Sequence, residues 1–183
     1  MLLKFERVST QDSWFLKTLR EHYTGSRGAP YGKKLGYIVF ADDDEPIAAL
    51  GLGEPTFKLA ARRRLGLEDG RPLPYTVNNF LYRRVSNLGP SGSHLLRTWH
   101  EIASDDWETR YGWRPVHWET LVDPAHVPGS VPGLSYLRIG YRQLGMTTGR
   151  TVRRPTHGRR EWADGPQRLV LYRGPLVRRS EVS

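Results

Sequence analysis

Three short stretches of this chain combine residue types and spacings that chemistry can use. The first is Asn87-Leu88-Gly89-Pro90-Ser91-Gly92-Ser93-His94, read as a turn between a strand and a helix. Glycines let successive backbone N–H groups face outward, and a helix start adds partial positive charge, so such a turn could cradle a pyrophosphate. No Lys follows, as a P-loop requires, and the spacing of a dinucleotide fingerprint is missing. The competing reading is an ordinary turn with capping serines.

The second stretch is Glu119-Thr-Leu-Val-Asp123. Side chains alternate across a strand, so Glu119 and Asp123 share a face. Two carboxylates near a strand end can divide the work, one accepting a proton and one orienting a donor. The structural alternative is that Glu119 pairs with a buried arginine and Asp123 caps the turn before Pro124. The third stretch is Tyr136-Leu-Arg-Ile-Gly140-Tyr141. A tyrosine on a short helix facing the end of the preceding strand could protonate a leaving thiolate. A tyrosine at helical spacing serves equally well as core.

Other chemistries find less support. His22, His94, His100, His117, His126 and His157 are scattered, with no His-x-x-x-His pair, and no metal is expected. Ser93, His94 and Asp123 can be combined on paper as a triad, but no Gly-x-Ser-x-Gly elbow supports it. The chain has no cysteine, which excludes disulfides, thiolate zinc sites and a thiol nucleophile.

Hydrophobic periodicity supplies the elements that must position these groups. Trp14, Phe15, Leu19 and Tyr23 mark a helix over Ser9 to Tyr23, with Ser9 or Thr10 as cap. Gly36 to Phe40, the turn Asp42 to Pro46 and Ile47 to Leu52 read as an antiparallel hairpin. Phe57 to Leu67 has helical composition. Val77 to Val85 is a strand, and His94 to Tyr111 is a helix with an apolar stripe through Leu95, Leu96, Trp99, Ile102, Ala103, Trp107 and Tyr111, ended by Gly112. Strands at Pro115 to Asp123, Gly140 to Thr148 and Gln167 to Tyr172 follow, with a short helix over Gly133 to Ile139; Arg150 to Gly165 reads as irregular and basic. Hairpins first and a strand–helix–strand crossover later predict a mixed α/β sheet in one domain over residues 1–176, with a basic tail over 177–183.

The formal net charge is +9, and the segment from Arg138 onward holds most of it: eleven arginines against Glu161, Asp164 and Glu181. Such a balance favours polyanions, and arginine forks suit phosphate. Arginine-rich codon usage would give the same composition. Aromatic–basic neighbours such as Trp113-Arg114 and Tyr141-Arg142 could stack on an exposed base or simply pack. No apolar run is long enough for a membrane span, and Met1 to Arg7 has no leader-like apolar segment, so a cytoplasmic protein is expected.

Several strings, in order, resemble the DruA-like family of the Druantia anti-phage systems: Gly36-Tyr-Ile-Val-Phe40, Val77-Asn-Asn-Phe80, Asp105-Asp-Trp-Glu-Thr-Arg-Tyr-Gly112, Arg114-Pro-Val-His-Trp-Glu-Thr-Leu-Val-Asp123 and Gly145-Met-Thr-Thr-Gly-Arg150. The layout is also similar to Mom-type DNA-modification proteins of the GCN5-related N-acetyltransferase fold group. This resemblance implies a GNAT-like fold, with a mostly antiparallel central sheet flanked by helices. It implies acetyl-CoA or another acyl-CoA as donor, with the turn at Asn87, Leu88, Gly89, Ser91, Gly92, Ser93 and His94 meeting the diphosphate. Tyr136 would be the general acid, and Glu119 or Asp123 would help deprotonate an amine on a modified base in DNA. His22, Tyr23, Arg62, Arg63, Arg142, Arg150, Arg153 and Arg154 are the expected contacts to nucleic acid or substrate. The alternatives are an acetyltransferase for a small amine or amino acid, and a non-catalytic nucleic-acid-binding subunit.

Overall fold

The computed structural model describes residues 3–22, 29–41, 44–56, 58–126, 131–153 and 161–175. In chain order the elements are β1 (Lys4–Val8), α1 (Ser13–Arg20), β2 (Lys34–Phe40), β3 (Pro46–Gly53), a 3-10 turn (Ala60–Leu65), β4 (Thr76–Arg84), α2 (Gly92–Tyr111), β5 (His117–Val122), α3 (Leu134–Leu137), β6 (Arg142–Met146), β7 (Arg150–Arg153), β8 (Glu161–Asp164) and β9 (Leu169–Arg173). Seven strands form one sheet in the order β1-β2-β3-β4-β5-β9-β6, while β7 and β8 make a separate ribbon. Every neighbouring pair is antiparallel except β4 and β5, which run parallel. A parallel pair needs a long crossover, and α2 supplies it.

The stripe on α2 is the largest contribution to the core. Leu95, Leu96, Trp99, Ala103 and Trp107 are fully buried against Tyr37, Val39, Leu50 and Leu52 of β2 and β3. Burying each large apolar side chain contributes about 1.5–3 kcal/mol. Ser91 caps the helix start, and Gly112, at φ 81°, ends it with an amide bond to the Glu108 carbonyl. On the opposite face, α1 seats Phe15 and Leu19 on Ala49 and Leu81, and the 3-10 turn seats Leu59 and Leu65 on Val170 and Tyr172. Helical elements therefore cover both faces.

Some expectations shift. The cap of α1 is Asp12, whose Oδ1 accepts the Phe15 amide at 2.9 Å, and not Ser9 or Thr10. The segment expected as a helix over Phe57 to Leu67 holds only a 3-10 turn, because Arg62 turns inward and bonds backbone carbonyls at both ends of the segment. β1 escaped notice because its pattern is charged and mostly exposed, as a short edge strand tolerates. The stretch expected to be irregular, Arg150 to Gly165, contributes β7 and β8. Tyr23, Arg154 and the tail 177–183 lie outside the described residues, and Arg150 and Arg153 are described only as backbone of β7. Among the described residues, no helix is long and apolar enough to cross a membrane.

Candidate active site

The site begins with a local failure of the sheet. β4 and β5 pair only over Thr76–Asn79 and His117–Thr120. Beyond that point β4 stays with β3 as far as Arg84, and β5 stays with β9 as far as Val122. The two parallel strands part, and an opening lies between them. At its apex β4 carries a bulge: Leu81 faces Gly51 and Asn79 faces Leu52, so Phe80 has no counterpart on β3. A bulged residue leaves its backbone groups out of the ladder. The Phe80 ring lies over Gly51 and Gly53, and a Cβ on Gly51 would overlap that ring.

Two cavities meet at this opening. One, of about 300 Å³, is lined by Tyr82, Val122, Ser135 and Tyr136 from the α2 face and by His22 from α1. The other, of about 500 Å³, lies on the α1 face among Leu19, Tyr31, Glu54, Asn78 and Arg168. Asn79, Phe80 and Leu121 line both, so the two cavities are neighbours at the gap.

Tyr136 stands in the gap. Its ring packs edge-on against Tyr82 and Tyr141, and its hydroxyl donates to Asn79 Oδ1. The Asn79 amide nitrogen donates to the Gly51 and Leu81 carbonyls at 2.8 and 2.7 Å, which fixes Oδ1 toward the phenol. His22 is buried at the end of α1, and its ring bonds the Tyr82 backbone. Burial first, and Arg83 next, lower its pKa to about 4, so the imidazole is neutral at physiological pH.

The turn before α2 is exposed at Asn87, Leu88, Ser91 and His94. Gly89 sits at φ 93°, a conformation only glycine takes cheaply. Arg84 donates to the Leu88 and Pro90 carbonyls at 2.9 and 3.0 Å, which ties the carbonyl side of the loop to a cation. Ser91 Oγ accepts the His94 amide, while the amides of Gly92 and Ser93 have no acceptor within the helix. Gly92 approaches the Tyr82 hydroxyl and Ser135 so closely that a Cβ there would meet both, which joins the helix start to the rim of the first cavity.

The two carboxylates take the structural alternatives. Glu119 is buried on the α1 face of β5, away from Tyr136, and both its oxygens are held by Arg62 at 2.8 and 2.7 Å. Arg62, also buried, further bonds the Gly70 and Thr56 carbonyls, so it reaches neither solvent nor a nucleic acid. Asp123 caps the turn Pro124–His126: Oδ1 accepts the Ala125 amide at 3.0 Å, and Oδ2 lies 3.2 Å from His126. Each oxygen of both carboxylates already has a partner. Arg142 packs its guanidinium over the Tyr172 ring, 4.9 Å from the centroid, and Arg63 is exposed. Among the described residues no cluster of metal ligands forms.

Sequence reasoning missed Asn79, Arg84 and Ser135. One signal was present: adjacent asparagines in a strand interior run against strand preference, and such local conflicts gather at functional sites.

Solved structures share this architecture. A candidate phosphinothricin N-acetyltransferase superposes with a TM-score of 0.55 at 14% identity, covering 94% of this chain and 98% of its own. A candidate acyl-CoA N-acyltransferase from Klebsiella pneumoniae subsp. pneumoniae MGH 78578 gives 0.54 at 9% identity over 96% and 99% of the two chains. The chain has a GNAT fold. A candidate acetyltransferase from Acinetobacter baylyi ADP1 gives 0.52 at 12% identity over 97% of each chain. No family model and no curated protein matches the chain, so the DruA-like resemblance rests on the quoted residues alone.

Proposed function

We propose that this GNAT-fold protein is an acyl-CoA-dependent N-acyltransferase acting on a small amine. The observation that carries the reading is the pair of adjoining cavities, which share Asn79, Phe80 and Leu121 where β4 and β5 part. A two-substrate transfer needs such a meeting point, because holding both reactants in place removes much of the entropic barrier. The candidate structures named for acyl-CoA and phosphinothricin lend support at the level of fold.

The residues fit an acyl-CoA on the α2 face. The turn at Gly89 to His94, with the first amides of α2 and Arg84 behind it, suits a diphosphate. Val122 and Leu134 in the first cavity suit an extended, partly apolar arm. Bound acyl-CoA would supply an activated acyl group and a thiolate leaving group. Tyr136 holds a proton at its hydroxyl for that sulfur, and Asn79 holds the phenol in the gap. His22 lines the same cavity, but burial and Arg83 lower its pKa to about 4, which makes it a weak proton acceptor, so the amine proton leaves to water. The unpaired backbone at Phe80 is the group best placed to polarise the acyl carbonyl.

A small acceptor is favoured over a base in DNA by the size of the second cavity and by the loss of Arg62 to Glu119. The test is product formation by mass spectrometry from acetyl-CoA and a panel of free amines, beside duplex DNA binding as a function of salt. Acetylated small amines and no steep salt slope are expected. Tight duplex binding with a steep slope and no small-molecule product would overturn the acceptor class.

A further inference from the structure

The lining of the second cavity is bipolar. Its lining includes Arg168 and Glu54 beside the apolar Leu19, Phe80 and Leu121. A neighbouring hollow of about 250 Å³, lined by Lys58, Thr147 and Thr148, shares Thr56, Leu121 and Arg168 with the second cavity. Together the two hollows are lined by two cations, Arg168 and Lys58, and one carboxylate, Glu54.

The backbone of Arg168 is tied to Thr147: its amide donates to Thr147 Oγ1 at 2.9 Å, and its carbonyl accepts the Thr147 amide at 2.8 Å. The root of the guanidinium, Nε, is shut off from solvent. A guanidinium carries five donors in a planar fork, which matches the paired oxygens of a carboxylate, phosphinate or sulfonate.

We infer that the acceptor is a small zwitterion, an amine bearing its own oxyanion, and that Arg168 grips the oxyanion while the amine points to Asn79 and Phe80. This rests on the acyltransferase reading for the identity of the pocket. A cavity of one sign would suit a polyamine or a plain polyanion; a cavity with both signs suits a molecule with both. Glu54 disfavours an anion with no cation of its own, and Arg168 disfavours a bare amine. The positive field of Arg168 reaches the gap, where it is one of the causes that keep His22 neutral, as does the field of Arg83. The same field favours the neutral form of an incoming amine, which is its nucleophilic form.

The test needs no acyl donor. Ligand-observed NMR titrations compare amino acids with their decarboxylated counterparts on the full chain: phenylalanine with phenethylamine, leucine with isopentylamine, lysine with cadaverine. At least one amino acid is expected to bind roughly 10- to 100-fold more tightly than its amine, the range for losing a charged hydrogen bond. Arg168→Gln is expected to remove that ratio, and Arg168→Lys to keep part of it. Equal binding within every pair, preference for the amines, or no binding by any amino acid overturns the inference. A ratio that persists in a folded Arg168→Gln protein overturns the assignment to Arg168. If Arg168→Gln does not fold, the wild-type ratio and Arg168→Lys still decide. Because acetyl-CoA is absent, failure here leaves the acyltransferase reading standing, and failure to bind acetyl-CoA leaves this result readable.

Discussion

Tyr136→Phe is expected to lower kcat by roughly 10²- to 10⁴-fold with acetyl-CoA as donor, the range for losing a positioned general acid. The phenol lines the first cavity and is bonded to a fixed partner, Asn79 Oδ1. Removing the hydroxyl also leaves that oxygen without its donor, so stability should fall by about 1–3 kcal/mol. The two effects separate in one experiment. A thioester whose leaving thiol is strongly acidic needs little protonation, so the Tyr136→Phe defect should shrink sharply with such a donor. A purely structural role would cost the same with both donors. An equal loss, or no loss, contradicts the assignment of Tyr136 as acid.

Glu119→Gln is expected to act on stability. Breaking a buried ion pair by removing one charge costs roughly 3–5 kcal/mol, because the partner stays buried without compensation. For a chain of this size each kcal/mol moves Tm by about 2–4 °C, so a drop of roughly 6–20 °C is expected in thermal unfolding. The double replacement Glu119→Leu with Arg62→Met should recover part of that loss, since an apolar pair removes both charges together. If Glu119 were the proton acceptor, Glu119→Gln would instead keep its Tm and lose activity. A folded, equally stable and inactive Glu119→Gln protein would contradict the structural role drawn here.

These two residues also mark how far the sequence could be read. Tyr136 was legible because a short helix after a strand end limits where its hydroxyl can go, and the structure places it in the gap. The crossover β4–α2–β5 was legible from periodicity, since α2 carries an apolar stripe and a stop at Gly112, although the cap is Ser91 and the helix starts at Gly92, two residues before the expected His94. Glu119 was ambiguous for a physical reason. Alternation fixes which face a strand residue takes, but only tertiary packing decides whether a buried arginine meets it there. Arg62 lies 57 positions away and reads locally as part of an exposed basic cluster. The splay of β4 from β5 was invisible because each strand keeps a normal pattern on its other edge. His22 was expected as a contact to nucleic acid or substrate, but its lowered pKa follows from burial and from Arg83 and Arg168, both distant in sequence.

The central claim is that the parting of β4 and β5, with the start of α2, forms the acyl-CoA site. An amide NMR titration with acetyl-CoA tests it most directly. The account predicts saturable shifts concentrated at Asn79 to Tyr82, Gly89 to His94 and Leu134 to Tyr136. No perturbation at saturating ligand, or shifts confined to residues remote from those three segments, would contradict it.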